Sequence, residues 1–367
     1  MRLGLGLTPG WAKRRRAPVV VPWAPTDIPG LATWFEGRDE AAILTPATQP
    51  VIVNGDFTAG TTGWTPNDST LSVLAGAAPS GGNALRVTAT APTFWAVQAT
   101  GIVGNRERML GWARGDGAAA PVVFDGANLW VGTASTSWQE IDTDFTRSGG
   151  NLFLGSTAGS GVVDFAPFDS TNLSRTEWHP SGGALGGNLL QATAANQPWW
   201  DAASGGVRFG LLGAENRQFT FSTPIAHAAT QTIYFAVNKN LATSSFRALL
   251  TRSGGASPPQ PYLSVPGVSK AGIFVDGAAR ALIDAPVGKQ IIRYQHTPTK
   301  VSLQNGNSTE SVYVTTPTLS TWVALSSISN QGMEATMLEM VIYDSAPSAA
   351  EDAQMKAYLA AKHGITL

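Results

Sequence analysis

The chain has 367 residues, which at roughly 150 residues per domain suggests two or three domains, each able to bury its own core. Charged residues are 13%, about half the roughly 25% of ordinary soluble domains, while 40 glycines and 23 prolines supply many turns, a mixture that suits antiparallel sheets and excludes helical bundles. A net charge of −1 argues against a nucleic-acid reader, the lack of cysteine excludes disulfides and thiolate metal sites, and four scattered histidines show no zinc-ligand spacing.

The N-terminal segment, MRLGLGLTPGWAKRRRAPVVVPWAPTDIPG, places its basic cluster after a short, glycine-broken apolar stretch, the reverse of a secretory signal. No apolar run approaches the roughly 18 residues that cross a bilayer. Two readings of residues 1–27 stand side by side, with a nucleic-acid contact a distant third. One is a disordered tail. The other is an extended arm docked on a neighbouring subunit, with Trp11 and Trp23 as anchors and Lys13, Arg14, Arg15 and Arg16 seeking acidic surface.

Next comes a short strand, LATWFE (31–36), and then VIVNGDFTAGTTGW (51–64), a strand followed by an Asn54-Gly55 turn. From there to about residue 165, short strand-like runs recur between Gly, Asn, Ser and Pro: NALRVTAT, ERMLGWARG, PVVFDG, LWVGT, WQEIDTDF, NLFLGS and GVVDFAPF. That spacing predicts a β-sandwich or jelly roll. The stretch QATAANQPWW (191–200) is predicted as a loop entering a strand, with Trp199 and Trp200 straddling the sheet.

A second series of strands runs from GVRFGLL to TMLEMVIYD. In the last of these, Leu338, Met340 and Ile342 are predicted on one face and Met337, Glu339, Val341 and Tyr343 on the other. Asp276-Gly277 and Asn305-Gly306 are predicted as tight hairpin turns. The chain closes on its one persuasive helix, PSAAEDAQMKAYLAAKHG, with Ser348 and Glu351 as a capping box, Lys362 and His363 in the last turn and Gly364 just beyond.

Two resemblances follow from these motifs. The segments MLEMVIYDSAPSAAEDAQMKAYLAAKHGI (337–365) and LLQATAANQPWWDAASGGVRF (189–209) resemble the closing and early parts of bacterial and phage laminin-G-like, concanavalin A-type jelly rolls, and PGLATWFEGRDEAAI their opening. Between opening and early segment lie roughly 130 further residues. VNGDFTAGTTGW (53–64), SWQEIDTDF (137–145) and GVVDFAPF (161–168) resemble a carbohydrate-binding-module jelly roll. The resemblances imply an all-β protein of two antiparallel jelly-roll β-sandwiches, one inserted in the other, with a short C-terminal helix and an extended N-terminal arm. The implied divisions are an arm at 1–27, a split outer sandwich at 28–48 plus 176–367, and an insert at 49–175.

EIDTD (140–144) sets Glu140, Asp142 and Asp144 on one strand face, similar to the carboxylate strand of concanavalin A-type glucanases. A solvated strand face, a sugar or cation contact, and catalysis are the three readings. The inward set Trp138, Ile141 and Phe145 is out of strict alternation and predicts a bulge. Both resembling families often bind structural calcium, for which Asp56 and Asp164 are the candidates, against a plain turn-capping role. Trp64 is assigned to the core, and Trp95 and Trp130 are the candidate exposed glycan platforms, with core packing as the rival.

Together these readings imply a non-enzymatic virion protein of a tailed phage or phage-like particle. It would be a homo-oligomeric spike or fibre subunit, a trimer by fibre habit, whose arm holds other virion proteins and whose insert adheres to host surface polysaccharide. No nucleic-acid partner, membrane insertion or cofactor beyond calcium is expected. The alternatives are a purely architectural capsid or tail protein, and a polysaccharide-degrading enzyme.

Overall fold

The computed structural model describes residues 23–367 except 39–41, 45–51, 101–102, 158, 184, 186, 194–195, 202, 211–216, 241–246, 254–258, 265–269, 276–277 and 327–332. Among the described residues the chain is all-β, every paired strand antiparallel, with one α-helix, Ala349–His363, at the end. No helix among them is long and apolar enough to cross a membrane.

A nine-stranded sheet organises the outer sandwich. At its centre Gln231–Lys239 lies between Gly288–Thr297 and Ala335–Tyr343. These strands are covered on both faces, so they read as continuous apolar runs rather than alternating ones. Ile233, Phe235 and Val237 enter the main core, while Tyr234 and Ala236 turn to the other side. A six-stranded and a four-stranded sheet close the main core, bringing Trp178, Phe219, Phe221, Trp322 and Ile273 against it.

Leu31–Glu36 pairs with Ala335–Tyr343, so the two chain ends share this sheet. Ile43–Leu44 pairs with Glu177–Trp178, setting the strands on either side of the intervening segment next to each other. That segment forms two five-stranded sheets between Thr65 and Asn172 with their own core, which includes Phe57, Trp64, Met109, Ile141, Leu154 and Phe165.

Three sequence expectations are corrected. Against Gln231–Lys239, Glu339 faces Ala236 and Met337 faces the very next residue, Val237, so Leu338 is the bulged residue. The bulge shifts the alternation: Met337, Met340 and Ile342 share the main core, while Leu338, Val341 and Tyr343 pack on the helix side. Asn305-Gly306 is not a two-residue hairpin. Gly306 has φ +51°, but the chain loops through 306–310 before Ser311–Val314 pairs back, because Glu310 is held to Arg293 and Ser302. The strand Gln139–Thr146 keeps an unbroken register with Arg106–Arg114 and has no bulge. Trp138 precedes the strand and meets Arg114 instead, 4.6 Å from ring centre to guanidinium. The Asp276-Gly277 turn lies outside the described residues, between the paired Val275 and Ala278.

The helix forms as its capping residues require. Ser348 accepts from the Glu351 amide at 3.3 Å, Glu351 accepts from the Ser348 amide at 2.7 Å, and Gly364 ends the helix in the left-handed region at φ +64°. Met355 and Leu359 bury against the nine-stranded sheet. A charged network bolts the helix down: the buried Glu339 carboxylate accepts from Trp34 Nε1 at 2.7 Å and meets His363 Nε2 at 2.8 Å and Lys362 Nζ at 2.9 Å. Lys362 also reaches Glu36 at 2.6 Å.

Candidate functional site

Strand Arg106–Arg114 of the insert alternates strictly. Glu107, Met109, Gly111 and Ala113 are buried, and Arg108, Leu110 and Trp112 are exposed. Side chains on one face of a strand recur every two residues, about 6.8 Å apart. Arg106, Arg108, Leu110, Trp112 and Arg114 therefore form one outward row. Leu110 is 45% and Trp112 36% exposed, large values for apolar groups on neighbouring positions of one row. Gly111 lies between them because the backbone passes close to Phe168, whose ring carbon would be 2.7 Å from any added Cβ.

Neighbouring strands surround the row with polar groups. Glu140, Asp142 and Asp144 stand opposite Trp112, Leu110 and Arg108 on Gln139–Thr146, and all three are exposed. Asp142 takes a two-pronged bond from Arg108 at 2.9 and 2.8 Å, and this bond lowers the Asp142 pKa. A general acid needs the opposite shift. On the other side, Asp164 is buried and gripped by Arg86 at 2.8 and 3.0 Å and by Arg114 at 2.9 Å. Asp116 closes that end. Burial alone would raise it, but amides of Ala119, Ala118 and Val162 outweigh burial and lower its pKa.

Two shallow grooves result. One, of about 430 Å³, is lined by Ile52, Asp56, Leu110, Trp112, Pro167 and Asp169. The other, of about 230 Å³, is lined by Arg86, Arg114, Asp116, Thr136 and Asp164. An exposed indole flanked by carboxylates and guanidiniums can stack its face on the C–H face of a pyranose while the sugar hydroxyls find donors and acceptors on either side.

The residues singled out in the sequence fall partly at this face and partly elsewhere. Trp95 is not an exposed platform: it is only 8% exposed, stacked on Phe124 at 5.6 Å and edged by Phe153 at 6.0 Å across neighbouring strands. Trp130 is half-buried and packs on the insert core. Trp64 is in that core. Asp164 does not offer its oxygens to calcium, because two guanidiniums already fill them. Asp56 caps its own turn through Thr58, and no cluster of three or more metal-ligating side chains occurs among the described residues. The EIDTD carboxylates lie on the outward face, and Asp56 and Asp164 each line one of its two grooves.

Trp11 and Lys13, Arg14, Arg15 and Arg16 lie outside the described residues. Trp23 is spent on its own chain, edge-on to Tyr358 of the helix at 5.3 Å. Trp199 and Trp200 both turn toward structure: Trp200 packs on the main core, and Trp199 is buried among arginines. Trp112 was missed by the sequence reading. Its signal was the alternation R-x-R-x-L-x-W-x-R, which sets it opposite the buried Met109 and Ala113.

No protein-family model and no curated protein matches the sequence. Among solved structures the chain is similar to the N-terminal CBM22-1–CBM22-2 tandem domain of Xyn10C from Paenibacillus barcinonensis, at 12% identity and a TM-score of 0.28, over 82% of this chain and 98% of that one. It is also similar to the sialidase of Trypanosoma rangeli, at 11% identity over 80% of this chain, with TM-scores of 0.37 for that sialidase and 0.36 for its complex with sialic acid. The chain spans 53% of the length of that protein.

Proposed function

We propose that this is a glycan-binding protein that works without catalysis, holding polysaccharide on the outward face around Leu110 and Trp112. The observation that carries this reading is the exposed apolar pair set in a frame of arginines and carboxylates. In its finer form, the chain is a spike or fibre subunit of a phage-like particle, acting in the virion. Residues 1–27 hold it to other virion proteins, 28–48 plus 176–367 form the laminin-G-like body, and 49–175 form the knob that meets host surface polysaccharide. The sequence resemblances support the finer form. Shallow sites repeated in a homo-oligomer, such as a trimer, bind by avidity and need no deep pocket. Light scattering that returns only monomer would count against the trimer.

Retention on an immobilised panel of bacterial surface polysaccharides tests the reading. The intact chain binds at least one, and Trp112→Ala weakens that binding at least tenfold with an unchanged melting midpoint. Equal retention of Trp112→Ala, or none by the intact chain, overturns it.

A second reading, an architectural subunit without glycan binding, is favoured by one feature. The edge strand Ser311–Val314 exposes Val312 at 45% and Val314 at 78% on a sheet edge that, among the described residues, pairs on one side only. Silence on the panel together with oligomers lost in Val314→Lys would favour it.

A further inference from the structure

Residues 49–175 carry ten carboxylates against six arginines and no lysine, a net charge of −4 in a chain whose total is −1. Each of those arginines is already engaged or distant from Trp112. Arg147 is spent on the buried Glu107 at 2.6 Å, Arg108 on Asp142 at 2.8 Å, and Arg86 and Arg114 on Asp164 at 2.8 and 2.9 Å. Arg175 donates to the carbonyls of Leu173 and Ser174, and Arg106 lies six positions from Trp112, about 20 Å along the strand.

Around the platform itself the surplus is acidic. Trp112 faces Glu140 across one neighbouring strand and the small, buried Ala166 across the other. Leu110 faces Asp142 on one side and Asp169 on the other. Asp56 joins Asp169 in the groove of about 430 Å³ beside the indole, and no lysine, arginine or histidine lines it. Glu140, Asp56 and Asp169 are exposed and form no ion pair among the described residues. Asp56 accepts from Thr58 and Asp169 from the Ser170 amide, but these are neutral donors and cancel neither charge.

A ligand seated here meets an indole face and three carboxylates without counter-charges. The ring face attracts a cation, a carboxylate accepts strong bonds from an ammonium N–H, and an acidic ligand is repelled. Among sugar substituents, an amino group supplies that cation. We infer that the sugar held at Trp112 is an amino sugar, with its ammonium between the indole, Glu140 and Asp169. The inference rests on the glycan-binding reading above and names the class of polysaccharide, one bearing unacetylated amino groups rather than uronic acids or phosphates. The apolar pair then takes the C–H face of the ring, and the carboxylates take its charge.

The test follows, by nuclear magnetic resonance of the full chain, the indole N–H signal that is lost in Trp112→Ala. The chain is titrated with glucosamine, N-acetylglucosamine, glucose and glucuronate at about pH 6, where amines are protonated and carboxylic acids are not. Glucosamine binds at least fivefold more tightly than N-acetylglucosamine, from which it differs by one acetyl group, and than glucose, while glucuronate binds least. Added salt narrows that preference, because the charges are exposed. Glu140→Gln combined with Asp169→Asn brings glucosamine to within twofold of N-acetylglucosamine, with an unchanged melting midpoint. The inference is overturned if any of the other three sugars binds as tightly as glucosamine, if the double variant keeps the full preference, or if no sugar moves the Trp112 signal. Should the sugars bind equally while Trp112→Ala still releases polysaccharide, the amino-sugar class alone falls. Should glucosamine move only other indoles while Trp112→Ala retains polysaccharide, the platform and the inference fall together.

Discussion

Two sheet faces in this molecule carry nearly the same chemistry and do opposite things. On the nine-stranded sheet, Trp34, Glu36 and Glu339 meet Lys362, His363 and Tyr358, and a helix lies over them. On the insert, Trp112, Glu140, Asp142 and Arg108 form a similar mixture with no element over it among the described residues. A tryptophan beside carboxylates and cations is thus not in itself a binding signature. The covering element decides: where 15 helical residues seal the face, the charges become a bolt, and where none does, they remain available to a ligand.

The bolt should be the more costly to break. Glu339→Ala takes the carboxylate from Trp34 Nε1 and His363 Nε2 while Lys362 keeps Glu36, and each buried group left unpaired costs about 1–3 kcal/mol. Urea unfolding followed by a probe in each sandwich should show the outer transition shifted and the insert's unchanged; a shared shift would mean the two unfold as one unit.

Acid sharpens the contrast next. His227 is buried against Trp322, with ring centres 4.2 Å apart, and both its ring nitrogens lack partners. Burial, helped by the charges of His296 and Arg252, lowers its pKa to about 3, and burial lowers His296 as well. His227 remains neutral in the folded state while the unfolded chain takes up its proton near pH 6.5. Its contribution is therefore complete above about pH 6.5 and erodes as pH falls toward 3, at up to about 1.4 kcal/mol per pH unit, and His296 acts in the same direction. Urea midpoints of the outer sandwich should drop between pH 7 and 4, and His227→Phe should flatten that slope. A slope unchanged in His227→Phe would remove this histidine from the account.

Gly111→Ala should cost about 1–3 kcal/mol in the insert, because the new methyl meets Phe168. A neutral result in thermal melts would show that Phe168 can yield. The smallest effect is expected at Arg108→Met. Its ion pair with Asp142 is exposed on both sides, so the melting midpoint should barely move. A large drop would mean that the open face is structural after all.

Legibility in the sequence followed the same division. The helix was readable because Ser348, Glu351 and Gly364 act within a few residues of one another. The alternation of Gln139–Thr146 was readable because that strand has one wet face. The bulge at Leu338 was not, since apolar residues on both faces hide a change of phase. AARALID (278–284) was not read as a strand because Ala, Leu and Arg favour helix, and only pairing with Lys270–Val275 overrides that preference. The exposure of Trp95 was misjudged because its covers, Phe124 and Phe153, lie on other strands. Trp112 had a local signal in its alternating row, but the openness of that face depends on no distant element covering it.

The central claim is that the insert face is open for a ligand and the helix-covered face is not. Hydroxyl-radical footprinting of the intact chain, with and without a polysaccharide that it retains, compares Trp112 and Trp34 directly. The account predicts that oxidation of Trp112 falls several-fold when polysaccharide is added while that of Trp34 stays the same. Equal oxidation of Trp112 in both conditions, or protection centred on Trp34, would contradict it.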